Sequence, residues 1–338
     1  MAKGLSVDER MALITRNTAE VIDEEELKAL LNEKKEPVVY WGTMTTGSPS
    51  IAYLFPMLKI ADFLRAGCKV KILLADLHAA LDGSPWDLLE KRSAYYKEVL
   101  TSMLKAIGTD VKRLEFVKGS SFQLDKQFFN DVLKLSTISS VRDSTKAASE
   151  AVKTAQGDSV KLSGLVYPLM QALDEEYLGV DIQLAGVDQR KILVYAREYL
   201  PQIGYKARVE VMNPMIRGLV GEQMRSSVEG SKIDVLDDQK MVEKRVNGAD
   251  FVEGDSDNGV MALLKYVVFV LKDELVVKRP EKFGGDVSYA SYGELEAEVV
   301  SKKMHPLDVK VALARELNVL LDVVRTEKAK KLKKLAYP

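Results

Sequence analysis

Tyr167, Gln171 and Asp174 lie four and three residues apart in the run YPLMQALDEEYLGVDIQLAGVDQRK, which extends from Tyr167 to Lys191. On a helix that spacing puts a phenol, an amide and a carboxylate on one face. Leu169, Met170, Leu173 and Leu178 surround them with apolar residues, so the face belongs beside a core. Such a face lines a polar pocket; its alternative is the solvated side of an amphipathic helix. The amides of Gln171 and Gln189 can each donate and accept, and Asp174 can accept from a hydroxyl.

The elements that must position these groups read as an α/β chain. Residues 8–33 suit one or two entry helices, with the acids at Asp23 to Glu26 favouring a helix start. A strand from Pro37 to Trp41, a turn from Gly42 to Pro49, a helix from Ile51 to Arg65 and a strand from Val70 to Ala75 form a βαβ unit. Tyr40, Gly42 and Asp76 fall at the carboxyl ends of those strands, where parallel sheets bind ligands. Helix Trp86 to Ala106 and strand Leu114 to Val117 follow. Residues 124–160 read as largely helical, and Val180 to Ala185 and Ala207 to Val211 as further strands. After Ile233 the pattern turns to helices with charged faces over Asp238–Asn247, Gly259–Leu271, Tyr292–Lys302 and Pro306–Val324. The basic tail RTEKAKKLKKL reads as a solvated helix, or as a surface attracted to RNA phosphates.

Composition narrows the class. A chain of 338 residues suits about two domains of roughly 150 residues each. Its net charge of −1 requires any nucleic-acid surface to be local. Cys68 is the sole cysteine, which excludes an intramolecular disulfide and a cysteine zinc cluster and fits a reducing compartment. Two histidines, His78 and His305, argue against a histidine metal site and against Ser-His-Asp hydrolysis. His78 closes the apolar run from Val70 and reads equally as a satisfied histidine or a secondary site residue. Without a secretory leader or an apolar run near the roughly 18 residues that span a bilayer, the chain reads as cytoplasmic, with no membrane partner.

The Tyr167–Lys191 segment resembles the amino-acid-binding core of the tyrosyl-tRNA synthetases, class I enzymes, in their eukaryotic and archaeal form. Val39-Tyr40-Trp41-Gly42-Thr43, Lys59-Ile-Ala-Asp-Phe-Leu, Leu74-Ala-Asp-Leu-His78, Met212-Asn-Pro-Met215, Ser231-Lys-Ile-Asp234 and Lys278-Arg-Pro-Glu-Lys-Phe-Gly-Gly285 follow the same family in its order. The resemblance implies a Rossmann-like parallel-sheet catalytic domain over residues 1–235. It carries a helical insertion at about 118–165 that supplies a homodimer contact and helps receive the tRNA acceptor end. A smaller, mainly helical anticodon-binding domain with the basic tail occupies 236–338. By resemblance Tyr40, Tyr167, Gln171, Asp174 and Gln189 surround tyrosine. Gly42, Thr43, Ser50, Gly186 and Asp188 contact ATP, which brings Mg²⁺ with it and needs no protein-bound metal. Arg190 and Lys191 lie near the first acceptor-stem pair of tRNA-Tyr. Phe283 stacks on the first anticodon base and Asp308 hydrogen-bonds it.

Two short motifs position the phosphates in this class: a His-x-Gly-His-like turn and a Lys-Met-Ser-Lys-Ser-like loop. Here the first reads Pro49-Ser50-Ile51-Ala52-Tyr53, with Ser50 where the family usually has histidine. The second reads Gly221-Glu222-Gln223-Met224-Arg225-Ser226-Ser227, with glutamine for lysine at 223 and an arginine at 225 that suits phosphate. Ser50, Tyr53, Gln223, Met224, Arg225, Ser226 and Ser227 are the catalytic candidates. The resemblance implies a tyrosine–tRNA ligase acting through tyrosyl-adenylate. The altered motifs keep open a non-catalytic paralogue that binds tyrosine or tRNA as a sensor or partner subunit, and an enzyme that passes its adenylate to another acceptor.

Overall fold

A computed structural model describes residues 4–153, 160–221 and 230–338. Helix α1 (Val7–Thr15), strand β1 (Glu20–Ile22) and helix α2 (Glu24–Glu33) lead into β2 (Val38–Thr43). A 3₁₀ turn (Ile51–Tyr53) opens α3 (Leu54–Arg65), followed by β3 (Lys69–Leu74), α4 (Asp76–Leu81), α5 (Leu89–Ala106) and β4 (Leu114–Lys118). Helices α6 (Lys126–Ile138), α7 (Val141–Ala148) and α8 (Leu162–Tyr177) intervene before β5 (Ile182–Gly186), α9 (Arg190–Tyr199) and β6 (Val209–Asn213).

The sheet runs β1-β6-β5-β2-β3-β4, parallel except for β1, which pairs antiparallel with β6. The apolar runs of β2, β3 and β5 suit strands covered on both faces. Strand β1 departs from the sequence reading, which assigned residues 8–33 to helices alone. Its three residues are too few to show a period, and only pairing with β6 selects them.

Beyond residue 235 come α10 (Gln239–Asn247), α11 (Gly259–Leu263), a π turn (Leu264–Val268) and α12 (Phe269–Leu271). Then follow β7 (Leu275–Val277), β8 (Val287–Tyr289), α13 (Tyr292–Val300), α14 (Pro306–Asp322) and α15 (Glu327–Ala336). The π turn interrupts what reads as one helix over Gly259–Leu271, and the β7–β8 hairpin went unread between helices. One apolar core joins both sides of residue 235, from Ile51, Leu54 and Leu219 to Val260, Leu264 and Leu313. The tail differs from a fully solvated helix: Ala329 and Ala336 of α15 are buried, and Lys328 and Lys333 reach Glu98 and Asp234 at 2.5 and 2.8 Å. Among the described residues no helix is long and apolar enough to cross a membrane.

A buried cation ties the entry helix to this frame. Lys59 of α3 is 1% exposed and donates to the carbonyls of Leu13 (3.2 Å), Ile14 (3.0 Å) and Arg16, which end α1. Asp62, one turn on, lies 3.3 Å from the same ammonium and accepts from Arg16. Burial lowers the Lys59 pKa, opposed by Asp62. Lys59→Met leaves three carbonyls without that donor, and we expect a loss of about 2–3 kcal/mol. Urea unfolding measures it; an unchanged midpoint would show that α1 is not held this way.

Candidate active site

Strand order reverses between β2 and β5, and a cavity of about 260 Å³ opens at their carboxyl ends. Tyr40, Gly42 and Thr43 reach it from β2, and Gln183 and Gly186 from β5. Helix α8 closes one wall with Tyr167, Gln171 and Asp174, so the spacing read from the sequence does converge on one face. Tyr53, Asp188 and Gln189 complete the set of sequence candidates that line it. Pro168 sits inside α8 and has no N–H to give the carbonyl of Gly164, so the helix is weakened where it meets the cavity.

One end of the cavity is built to meet a hydroxyl. Asp174 is 1% exposed; its Oδ1 accepts from Gln123 Nε2 at 2.6 Å, while Oδ2 has no protein partner among the described residues. The second N–H of Gln123 lies 3.3 Å from His78 Nδ1. That contact makes Nδ1 the acceptor and leaves the proton on Nε2, an assignment drawn from the network. His78 Nε2 stands 3.8 Å from Asp174 Oδ2 and is likewise unpartnered. Burial lowers the His78 pKa to about 3, so the ring is neutral. Burial also raises the Asp174 pKa well above its ordinary value, against the Gln123 hydrogen bond and with the added push of Glu175. His78 Nε2–H as donor and Asp174 Oδ2, when ionised, as acceptor thus face one space and complement a group that both donates and accepts a hydrogen bond. Tyr40 Oη is a third unpartnered atom, and the His78 and Tyr167 rings pack edge to face at 4.6 Å.

The opposite end is a chain of amides. Gln171 Nε2 lies 3.4 Å from Gln189 Oε1, and Gln189 Nε2 donates to Asp188 Oδ2 at 3.1 Å. Gly186 permits the last member: a Cβ there would stand 2.2 Å from Asp188 Oδ1. Gly119 serves the hydroxyl end similarly, since its Cβ would meet Gln123 Oε1 at 2.5 Å. Gln123 was missed in the sequence because a lone glutamine before a helix carries no period. His78 was read as secondary, yet it lines the cavity.

Ser50, Arg190, Lys191, Phe283 and Asp308 lie outside the wall of this cavity, which Tyr53 lines. Ser50 caps the 3₁₀ turn without a side-chain capping bond and bridges to Asp234 through the backbone. Tyr53 hydrogen-bonds Thr43 Oγ1 at 3.0 Å. Gln223, Met224, Arg225, Ser226 and Ser227 fall outside the described residues. Arg190 holds Glu20 through two bonds of 2.7 and 2.8 Å, and Lys191 pairs with Glu150 at 2.8 Å. Phe283 is 61% exposed and so stands outside the core. Asp308 sits in the first turn of α14 after the His305 cap.

Beneath the site lies a carboxyl pair that the sequence did not announce. Glu175 and Glu210 are fully buried, and none of their four side-chain oxygens finds a donor among the described residues. Strand register sets Glu210 beside Gln183, which lines the cavity. Burial raises Glu175 to about 8, opposed by Arg208, and raises Glu210 further, with the Glu175 charge adding to it. At neutral pH the two groups therefore hold at least one proton between them.

Residues 32–322 match the family described as class I tRNA synthetases for tryptophan and tyrosine. The cytoplasmic tyrosine–tRNA ligase of Danio rerio is 49% identical over 345 residues, covering 100% of this chain and 65% of that protein. The chain thus spans just under two thirds of that relative's length. The probable cytoplasmic tyrosine–tRNA ligase of Encephalitozoon cuniculi is 43% identical over 333 residues, covering 97% of this chain and 98% of that protein. The solved tyrosyl-tRNA synthetase of Archaeoglobus fulgidus, complexed with L-tyrosine, has a TM-score of 0.89 at 37% identity and covers 97% of this chain and 100% of that one.

The carboxyl pair gives the site a pH signature. A carboxyl whose folded pKa is raised contributes stability that is fully present below its unfolded value and is lost as pH climbs through the folded one. For Glu175 that window runs from 4.5 to about 8. In Glu210→Gln an amide can donate to Glu175 and remove the penalty. Thermal unfolding should show the variant gaining on the wild-type protein between about pH 5 and about pH 8. Parallel curves would show that the pair does not titrate in the fold.

Proposed function

We propose, for a chain that belongs to the class I tRNA synthetases for tryptophan and tyrosine, that it charges tRNA-Tyr with tyrosine at the expense of ATP. An oxygen of the tyrosine carboxylate attacks the α-phosphorus, the bond to the β-phosphate breaks, and pyrophosphate leaves. A terminal ribose hydroxyl of the tRNA then attacks the activated carbonyl, and AMP leaves. The observation that carries this reading is the pairing of Asp174 Oδ2 with His78 Nε2 across one end of the cavity. A phenol hydroxyl donates to the first and accepts from the second, and Tyr40 stands beside them. An indole N–H only donates and leaves His78 unanswered, which favours tyrosine over tryptophan.

At the other end, Gln171 and Gln189 take the ammonium and carboxylate, Tyr167 orients the former, and Gly186 and Asp188 meet the ribose. Gly42, Thr43 and the turn before Ser50 face the phosphates. Arg225 supplies the cation that Gln223 does not. Little covalent work falls to the protein: it aligns the carboxylate and stabilises charge as pyrophosphate departs. Mg²⁺ would arrive on the ATP phosphates. The 43% identity to a probable ligase over nearly its whole length supports catalysis over the non-catalytic alternative, which rests on the altered motifs alone. The names of the relatives support a cytoplasmic location.

For the tRNA, the exposed Phe283 offers a stacking platform worth about 1–3 kcal/mol per base, and Asp308 a carboxylate. Arg190 and Lys191 would exchange Glu20 and Glu150 for phosphate. A second copy of the chain would cover the exposed apolar residues of the insertion, among them Phe129 at 60% and Leu133 at 51%. Phe129→Glu with Leu133→Glu should then convert a dimer to a monomer in sedimentation equilibrium; an unchanged mass would exclude this face.

The activity is tested by tyrosine-dependent ATP–pyrophosphate exchange followed by charging of tRNA-Tyr. Asp174→Ala should lower exchange at least about 100-fold, since it removes the acceptor and leaves one N–H of Gln123 unpaired. Exchange no higher in the wild-type protein than in Asp174→Ala would sink the enzymatic reading; exchange without charging would point to another acceptor.

A further inference from the structure

The turn between β2 and the 3₁₀ turn, residues 44–50, is braced from behind by side chains that belong to no part of the proposed chemistry. Arg92 of α5 is 9% exposed and donates from Nη1 to the carbonyl of Thr46 at 3.2 Å and to Ser84 Oγ at 3.1 Å. Tyr96 donates to the carbonyl of Gly47, and Tyr95 Oη meets Ser48 Oγ at 2.8 Å. Tyr337, just after α15, lies with its ring under the Arg92 guanidinium at 4.7 Å and its hydroxyl 3.4 Å from the carbonyl of Thr45. Arg92 Nε closes the loop on the carbonyl of Ala336 at 3.2 Å. Three successive carbonyls, those of Thr45, Thr46 and Gly47, are thereby drawn to the side of α5 and α15.

In a trans peptide the N–H points opposite to the carbonyl it is bonded to. With those three carbonyls held back, the N–H groups of Thr46, Gly47 and Ser48 are turned away from the brace. None of the three donates to a backbone carbonyl among the described residues, and Thr46 itself lines the cavity. Successive free N–H groups of this kind form a concavity suited to an anion.

We infer that Tyr337 and Arg92 are positioning residues for nucleotide binding: docking of α15 on α5 orients the 44–50 turn so that its N–H groups meet the phosphates of ATP. The inference deepens the proposed activity and rests on that reading of the turn. It gives the basic segment a role other than attraction to RNA: Lys328 and Lys333 pair with Glu98 and Asp234, and the residues that reach Arg92 are Ala336 and Tyr337. The aromatic ring dominates over the hydroxyl, because 3.4 Å is long for a hydrogen bond whereas the guanidinium lies 4.7 Å from the ring centroid, within cation–π range.

Deuterium uptake of the 44–50 segment and ATP–pyrophosphate exchange test this together. Tyr337→Ala should speed amide exchange of that segment about tenfold in the protein alone. It should also raise the KM for ATP about five- to tenfold with the KM for tyrosine within about twofold. Tyr337→Phe keeps the ring on Arg92 and should restore both; Arg92→Lys should behave like Tyr337→Ala. Lys330→Ala, which loses only a contact to Glu327, should match the wild-type protein. Unchanged uptake in Tyr337→Ala overturns the inference, as does a KM for tyrosine that rises in step with that for ATP. Should the wild-type protein show no exchange at all, the proposed activity fails, and deuterium uptake alone decides whether the brace stands.

Discussion

The reversal of strand order between β2 and β5 is the constraint on which the rest depends. On either side of it the crossover helices cover opposite faces of the sheet, so no helix seals the carboxyl ends where the two strands part. Everything that reaches the cavity arrives by this geometry: Tyr40 and Thr43 from one strand, Gln183 and Gly186 from the other, and α8 as the lid on the side. The insertion of α6 and α7 does not disturb the sheet, because it packs into a separate apolar cluster with α8 and α9.

Placing polar groups in that crevice costs desolvation, and the structure offsets the cost unevenly. Lys59 and Asp62 are fully answered by carbonyls and by Arg16, and they act as scaffold. Asp174 is only half answered, by Gln123, and the oxygens of Glu175 and Glu210 find no donor among the described residues. Incomplete pairing at Asp174 and His78 reserves hydrogen-bonding capacity for a ligand, and this is how specificity for a hydroxyl is stored. The ionisation of Tyr40 is strongly opposed by burial and by Asp174, Glu175 and Glu210. The turn at 44–50 follows the same logic with backbone groups: its carbonyls are satisfied from behind so that its N–H groups stay available.

How much was legible follows from how local each signal is. The helices α3, α5, α8 and α14 announced themselves through long apolar periods, and β2, β3 and β5 through short apolar runs. Strand β1 and the β7–β8 hairpin are three residues per strand, too short for a period to appear. The π turn inside Gly259–Leu271 leaves the composition of a helix unaltered.

What the chain determined by itself was the identity and face of Tyr167, Gln171 and Asp174, because side chains three and four apart on a helix must align. It also determined the alternation of strand and helix, since each apolar run is a local property. Tertiary structure alone decided that Gln123 and His78 stand beside Asp174, which lies 51 residues from the first of them. It alone set Glu210 against Glu175 and Tyr337 under Arg92. Those meetings join segments whose separate patterns carry no trace of one another, and they exist only once the sheet has reversed and α15 has docked on α5.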